Sequence, residues 1–130
     1  MMEGCELEVF VCKKCGNSLF RIEKSSEQVI CCGEVLEPEP ENTGSQSSEK
    51  HLPVYEYLGT RDMLVRVGST NHPMTAEHHI SWIAVCYNRT IIIQKLEQDM
   101  APQYVFTVYQ GHSGKIYTWC NLHGLWVADF

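Results

Sequence analysis

The stretch Cys120-Asn121-Leu122-His123 places a thiol and an imidazole three residues apart. A structural site that uses such a pair repeats it, as C-x2-C or H-x3-H, and no second pair follows here. The other candidate ligands lie far upstream, at His51, His72 and His78. One cysteine with four histidines does not suit a structural zinc site, which is four-coordinate and often cysteine-rich. Five nitrogen and sulfur donors point instead to an iron-type site with one position left for a ligand. The Cys-x-x-His pair carries little alone; the three upstream histidines make the case.

A second donor set stands near the start. Cys12-Lys13-Lys14-Cys15-Gly16 reads as a metal knuckle, in which Gly16 lets the chain turn so that its amides face the second sulfur. Cys31-Cys32-Gly33 closes the same unit. Four thiols at this spacing are a strong signal for a tetrahedral S4 site filled by iron or zinc. The adjacent pair is unusual. Neighbouring side chains of a strand point to opposite faces, so Cys31 and Cys32 need a bent backbone to reach one ion, and a distorted tetrahedron is expected.

These residues need elements to hold them. Glu6–Val11 and Ser18–Glu23 alternate apolar and polar residues and predict two short strands around the knuckle. Glu37-Pro38-Glu39-Pro40-Glu41 is stiff and acidic, and Asn42–Ser48 is small and polar, which reads as a linker. After it the pattern is strand-like throughout: Val54–Leu58, Met63–Val67, Ile80–Tyr87, Thr90–Leu96, Tyr104–Tyr109, Lys115–Trp119 and Leu125–Ala128. Short strands at this density predict an immunoglobulin-like sandwich. Pro73 holds the chain just after His72, and residues 71–79 are expected as a loop feeding the strand at Ile80. Loops from one end of a sandwich can converge on one point. The expected organisation is all-β: a metal-knuckle domain at 1–37, a linker at 38–48 and the sandwich at 49–130.

Composition narrows the function. The chain has 130 residues, 44% of them hydrophobic, with a net charge of −6 and ten Lys and Arg that form no run. That argues against nucleic acid and against an anionic membrane surface. Residues 1–20 lack the pattern of a signal peptide, and no apolar stretch is long enough to span a membrane. Seven cysteines without an export signal read as metal ligands and spare thiols in a reducing cytoplasm. Cys5 reads as an exposed thiol, Cys86 as a core residue and His112 as a solvated turn residue.

Taken in order, these motifs resemble the desulfoferrodoxins, two-centre superoxide reductases. Cys12, Cys15, Cys31 and Cys32 are similar to the desulforedoxin-like domain. Glu49-Lys50-His51-x-Pro53, His72-Pro73-Met74-x3-His78-x-Ile80-x-Trp82-Ile83 and Cys120-Asn121-x-His123 are similar to the catalytic domain. The resemblance covers nearly the whole chain. Leu52, His79, Trp119 and Val35-Leu36 depart from the family's usual residues, and none is a ligand position. Trp119, beside the ligand cysteine, could alter packing at the sulfur and so the redox potential.

The resemblance implies two iron ions per chain and neither haem nor flavin. One is an FeS4 centre; the other is held by four equatorial histidines (His51, His72, His78, His123) and the axial thiolate of Cys120. It implies a one-electron reduction of superoxide to hydrogen peroxide, with re-reduction by a rubredoxin-like or other electron donor protein, in a homodimer. Lys50 would bring positive charge to the mouth of a site in an acidic protein. Glu49 is the carboxylate that the family assigns to the ferric form, a hard donor for a harder ion. Two other readings stand beside this one: an electron carrier that works through the S4 centre alone, and a zinc-stabilised binding module. An iron assay with a visible spectrum separates them.

Overall fold

The computed structural model describes residues 6–43, 51–69 and 72–130. Glu49, Lys50 and Cys5 therefore lie outside the described residues. The chain divides into two compact units, Glu6–Pro40 and Glu41–Phe130. Both are built from strands, a small metal-knuckle unit and then a β-sandwich.

In the small unit, β1 (Glu8–Val11) pairs antiparallel with β2 (Ser18–Arg21), Phe10 opposite Leu19. A second hairpin, absent from the expected strands, joins β3 (Val29–Cys31) to β4 (Glu34–Leu36). Three-residue strands are too short to show alternation, yet Cys32-Gly33 between two apolar pairs is a hairpin signal. The Arg21 guanidinium ties the intervening loop. It donates to the Ser25 and Glu27 carbonyls at 3.0 and 2.6 Å and lies 5.1 Å over the Phe10 ring. The buried core of this unit is little more than Leu7, Val9, Phe10 and Cys12.

The larger unit follows the expected strands closely: β6 (Pro53–Leu58), β7 (Asp62–Val67), β8 (Ile80–Tyr87), β9 (Thr90–Lys95), β10 (Gln103–Thr107), β11 (Gly114–Cys120) and β12 (Gly124–Asp129). One sheet runs β10-β7-β6. The other has five strands: a two-residue strand β5 (Glu41–Asn42), then β12-β11-β8-β9. Strand β5 lies within the expected linker and runs parallel to β12, with Asn42 Nδ2 donating to the Leu125 carbonyl at 2.9 Å. Without it β12 would present an unpaired edge along these residues.

The core lies between the sheets. Met63, Val65 and Val67 of β7 face Ile80, Ile83 and Val85 of β8, with Phe106 of β10 and Ile116 of β11. Period-two alternation explains β7, where every second residue is buried. Strands β8 and β11 are inner strands of the five-stranded sheet and are buried almost end to end. No helix among the described residues is long and apolar enough to cross a membrane.

Candidate metal centres

The knuckle grows out of the end of β1. The Cys12 N–H donates to the Asn17 carbonyl and the Gly16 N–H to the Cys12 carbonyl, both at 2.8 Å, closing a tight loop. Gly16 takes φ +80°, a left-handed angle that a side chain disfavours. This loop turns the amides of Cys15 and Lys14 onto the Cys12 sulfur. The Cys15 amide is the main reason that the Cys12 thiol is lowered to about 7.

The adjacent cysteines reach one ion because of the β3–β4 turn. Cys32 and Gly33 both have positive φ, +53° and +74°, as the two central residues of a type I′ hairpin turn do. The bend expected from sequence is therefore the hairpin turn itself. Sulfur atoms of Cys12, Cys15, Cys31 and Cys32 all lie within 4.8 Å of one another, with Cys15 and Cys31 at 3.5 Å. A tetrahedron with metal–sulfur bonds of about 2.3 Å has edges of about 3.8 Å, so the four sulfurs fit one ion. Without it they compete for protons: hydrogen bonds to Cys15 and then Cys12 push the Cys32 thiol up to about 12. A cation in place of those protons removes the conflict.

The second centre is assembled from three stretches at one end of the sandwich. His51 precedes β6; His72 and His78 stand on the loop before β8; Cys120 ends β11 and His123 belongs to the turn into β12. His51, His72, His78 and Cys120 each bring a donor atom within 4.8 Å of the others. His123 brings Nδ1 to 3.0 Å from His51 Nε2 and 3.6 Å from Cys120 Sγ. The imidazoles form a closed circuit. Neighbouring ring centroids are 4.7 Å (His51–His72), 4.5 Å (His72–His78), 5.0 Å (His78–His123) and 4.6 Å (His123–His51). Each neighbour is turned edge-on by 68–78°, while the diagonal His51–His78 spans 6.1 Å. Four rings at the corners of such a square aim their nitrogens at a common centre.

The local structure shows how each donor is held. The His72 Nδ1–H donates to the Pro73 carbonyl at 2.7 Å, which leaves the Nε2 lone pair for the centre. That Nε2 is buried with no hydrogen-bond partner, which a metal would supply. Burial lowers the His72 pKa to about 4, so the ring is neutral, as a ligand must be. His51 stacks on Trp126 at 4.9 Å and 15°. Cys120 sits where the register against β8 slips: Trp119 pairs with Trp82 but Cys120 with Ile80, a bulge of the kind that re-aims a side chain. Burial raises the Cys120 pKa, while the Leu122 and His123 amides facing its sulfur act in the opposite direction. Gly124, at φ +87°, closes the turn so that it pairs with Cys120 and leaves His123 pointing back. His51, His72 and Cys120 are buried, whereas His123 is exposed, so the site opens to solvent on one side.

One residue had a role that the motif alone did not disclose. Asn121 contacts both sides of the loop around His78. His79, in the loop expected over residues 71–79, precedes β8, and its Nδ1–H donates to the Thr75 carbonyl at 2.9 Å.

The comparisons agree with this geometry. The family model for desulfoferrodoxin matches residues 43–129. A desulfoferrodoxin of Syntrophotalea carbinolica is 37% identical over 125 residues, covering 95% of this chain and 97% of the relative. A superoxide reductase of Thermococcus kodakarensis is 36% identical over 65% of this chain and 88% of its own length. The crystal structure of the superoxide reductase from Treponema pallidum superposes with a TM-score of 0.78 at 34% identity, covering 95% of this chain and 97% of that one. Both clusters called for by the two iron centres of desulfoferrodoxins, a four-cysteine site and a His4Cys site, are present. With its two donor sets, its sandwich and its family match in agreement, the chain belongs to the desulfoferrodoxin family.

Proposed function

We propose that this protein is a superoxide reductase, an oxidoreductase that passes one electron and two protons to superoxide and releases hydrogen peroxide. The observation that carries this reading is the circuit of four imidazoles with a buried cysteine within reach of the same point, open to solvent at His123. Superoxide reductases among its relatives and structural neighbours support it. Iron, if held there, would be the source of the electron.

The residues divide the remaining work. His51, His72 and His78 would offer Nε2 and His123 would offer Nδ1; imidazole lone pairs bring no negative charge, so a bound cation would keep positive charge for an anionic substrate. Cys120 would hold the iron through the one thiolate, whose electron donation would favour passing an electron on to the substrate. Lys50 draws the anion in against the protein's net charge of −6. Glu49 offers a carboxylate to the oxidised ion. Cys12, Cys15, Cys31 and Cys32 hold the second iron in the small unit, and residues 1–37, 38–48 and 49–130 act as knuckle domain, linker and catalytic domain. A rubredoxin-like or other electron donor protein would return the electron to the site, and the working form would be a homodimer in the cytoplasm, where thiols stay reduced.

The test is an iron count with pulse-radiolysis kinetics on the full chain. Two irons, two separable chromophores and rapid stoichiometric reduction of superoxide are expected. Zinc in both sites, or iron in the four-cysteine site alone with no reaction, would overturn the proposal.

A further inference from the structure

The backbone ladder between β8 and β11 ends at the metal site, where it is replaced by one side chain. Beyond the pair Cys120–Ile80, the Asn121 N–H donates to the His79 carbonyl at 3.2 Å. Beyond that, the strands no longer pair, and the Asn121 carboxamide takes over. Its Oδ1 accepts from the His79 N–H at 2.8 Å and its Nδ2 donates to the Glu77 carbonyl at 3.0 Å. A carboxamide has the donor and acceptor of a peptide group, so it can continue a ladder by one step. The two groups it reaches belong to the peptides on either side of His78, while Asn121 is itself bonded to Cys120. One residue thus spans the loop that carries His72 and His78 and the turn that carries Cys120 and His123.

The loop has its own internal bonds. Thr75 and His78 exchange backbone and hydroxyl hydrogen bonds at 2.9–3.2 Å, and the Asp99 N–H reaches the Met74 carbonyl at 3.2 Å. These shape the loop. The Asn121 side chain, by contrast, sets its distance from the turn.

We infer that Asn121 is a positioning residue: its carboxamide locks the His72/His78 loop to the Cys120/His123 turn, so that donors from both stay within reach of one ion. The inference rests on the His4Cys reading above. It concerns the tightness and geometry of the site, since Asn121 offers no donor to the ion. Partners that orient metal ligands in this indirect way change metal affinity on the order of 10–100-fold when removed.

Two variants of the full chain test it. Asn121→Ala removes both side-chain bonds. Asn121→Asp keeps the acceptor for the His79 N–H but sets a carboxylate oxygen against the Glu77 carbonyl. Three quantities are read: iron retention against a competing chelator, the position of the sulfur-to-iron absorption of the second centre, and hydrogen exchange of the His79 amide in metal-free protein. Both variants should release iron from the His4Cys site on the order of 10–100-fold more readily and shift that absorption. His79 exchange should accelerate in Asn121→Ala. The spectrum of the four-cysteine centre and the thermal unfolding of the sandwich should match the parent protein. A folded Asn121→Ala protein with parental iron retention and absorption overturns the inference, because water has then replaced the carboxamide without consequence. If Asn121→Ala does not fold, the same readouts on Asn121→Asp decide. A parent protein that loads the four-cysteine site but leaves the His4Cys site without iron would instead remove the proposed function, and this inference with it.

Discussion

Replacing Cys120 with serine should separate the cost to the fold from the cost to the metal. Cys120 is fully buried at the end of β11. A serine hydroxyl occupies nearly the same space and can accept from the Leu122 and His123 amides that face the sulfur. The fold then exchanges a buried thiol for a hydrogen-bonded hydroxyl, at a cost of about 1 kcal/mol. The metal loses more. Structural zinc sites bind with about 10–16 kcal/mol in total, so one donor in five accounts for roughly 2–3 kcal/mol. At about 1.4 kcal/mol per decade, affinity should fall roughly 30- to 150-fold. Iron added in excess should therefore still occupy the four imidazoles. The sulfur-to-iron absorption of this centre should vanish, and the reaction with superoxide should slow steeply, while the spectrum of the four-cysteine centre persists. Iron titration, the ferric spectrum and pulse radiolysis of the variant measure each part, and thermal unfolding of metal-free protein measures the fold. An unchanged absorption would mean that this sulfur does not bind iron, and the assignment of the centre would have to be given up.

Cys32→Ser should abolish iron binding in the small unit and melt β1–β4, whose core is too small to stand without the ion. Superoxide reduction should survive, because the two donor sets share no residue; loss of both irons together would contradict this. Lys50→Ala should leave iron bound but slow the reaction with superoxide and flatten its dependence on ionic strength, since charges screen over roughly 8–10 Å in physiological salt. A parental rate at low salt would deny Lys50 any steering role. Gly114→Ala should cost about 1–3 kcal/mol or more of sandwich stability, because a Cβ there would strike the Cys86 carbonyl and crowd Phe130 and Tyr87. The ligand residues stand at the other end of β11, so the spectra of the surviving folded protein should not move.

The ligand types and the strands of the sandwich were legible in the sequence for local reasons. A thiol pair around a glycine turn, or an apolar residue at every second position, acts through neighbours in the chain. Cys12, Cys15 and the run Met63–Val67 could be read in this way. The hairpin of β3 and β4 was hidden because three residues are too few to show a period, although the Cys32-Gly33 turn was in plain view. Strand β5 exists only because β12 offers it an edge, which no property of Glu41 or Asn42 announces. The same holds at the metal site. The sequence names four histidines but not their circular order, nor that His123 presents Nδ1 while His72 keeps Nε2 for the centre. Those choices follow from hydrogen bonds and stacking partners brought close only by tertiary packing: Pro73 beside His72, Trp126 against His51, and Asn121 across from Glu77 and His79. Ligand identity is a property of single side chains, whereas the aim of each lone pair is a property of the packed loops around it.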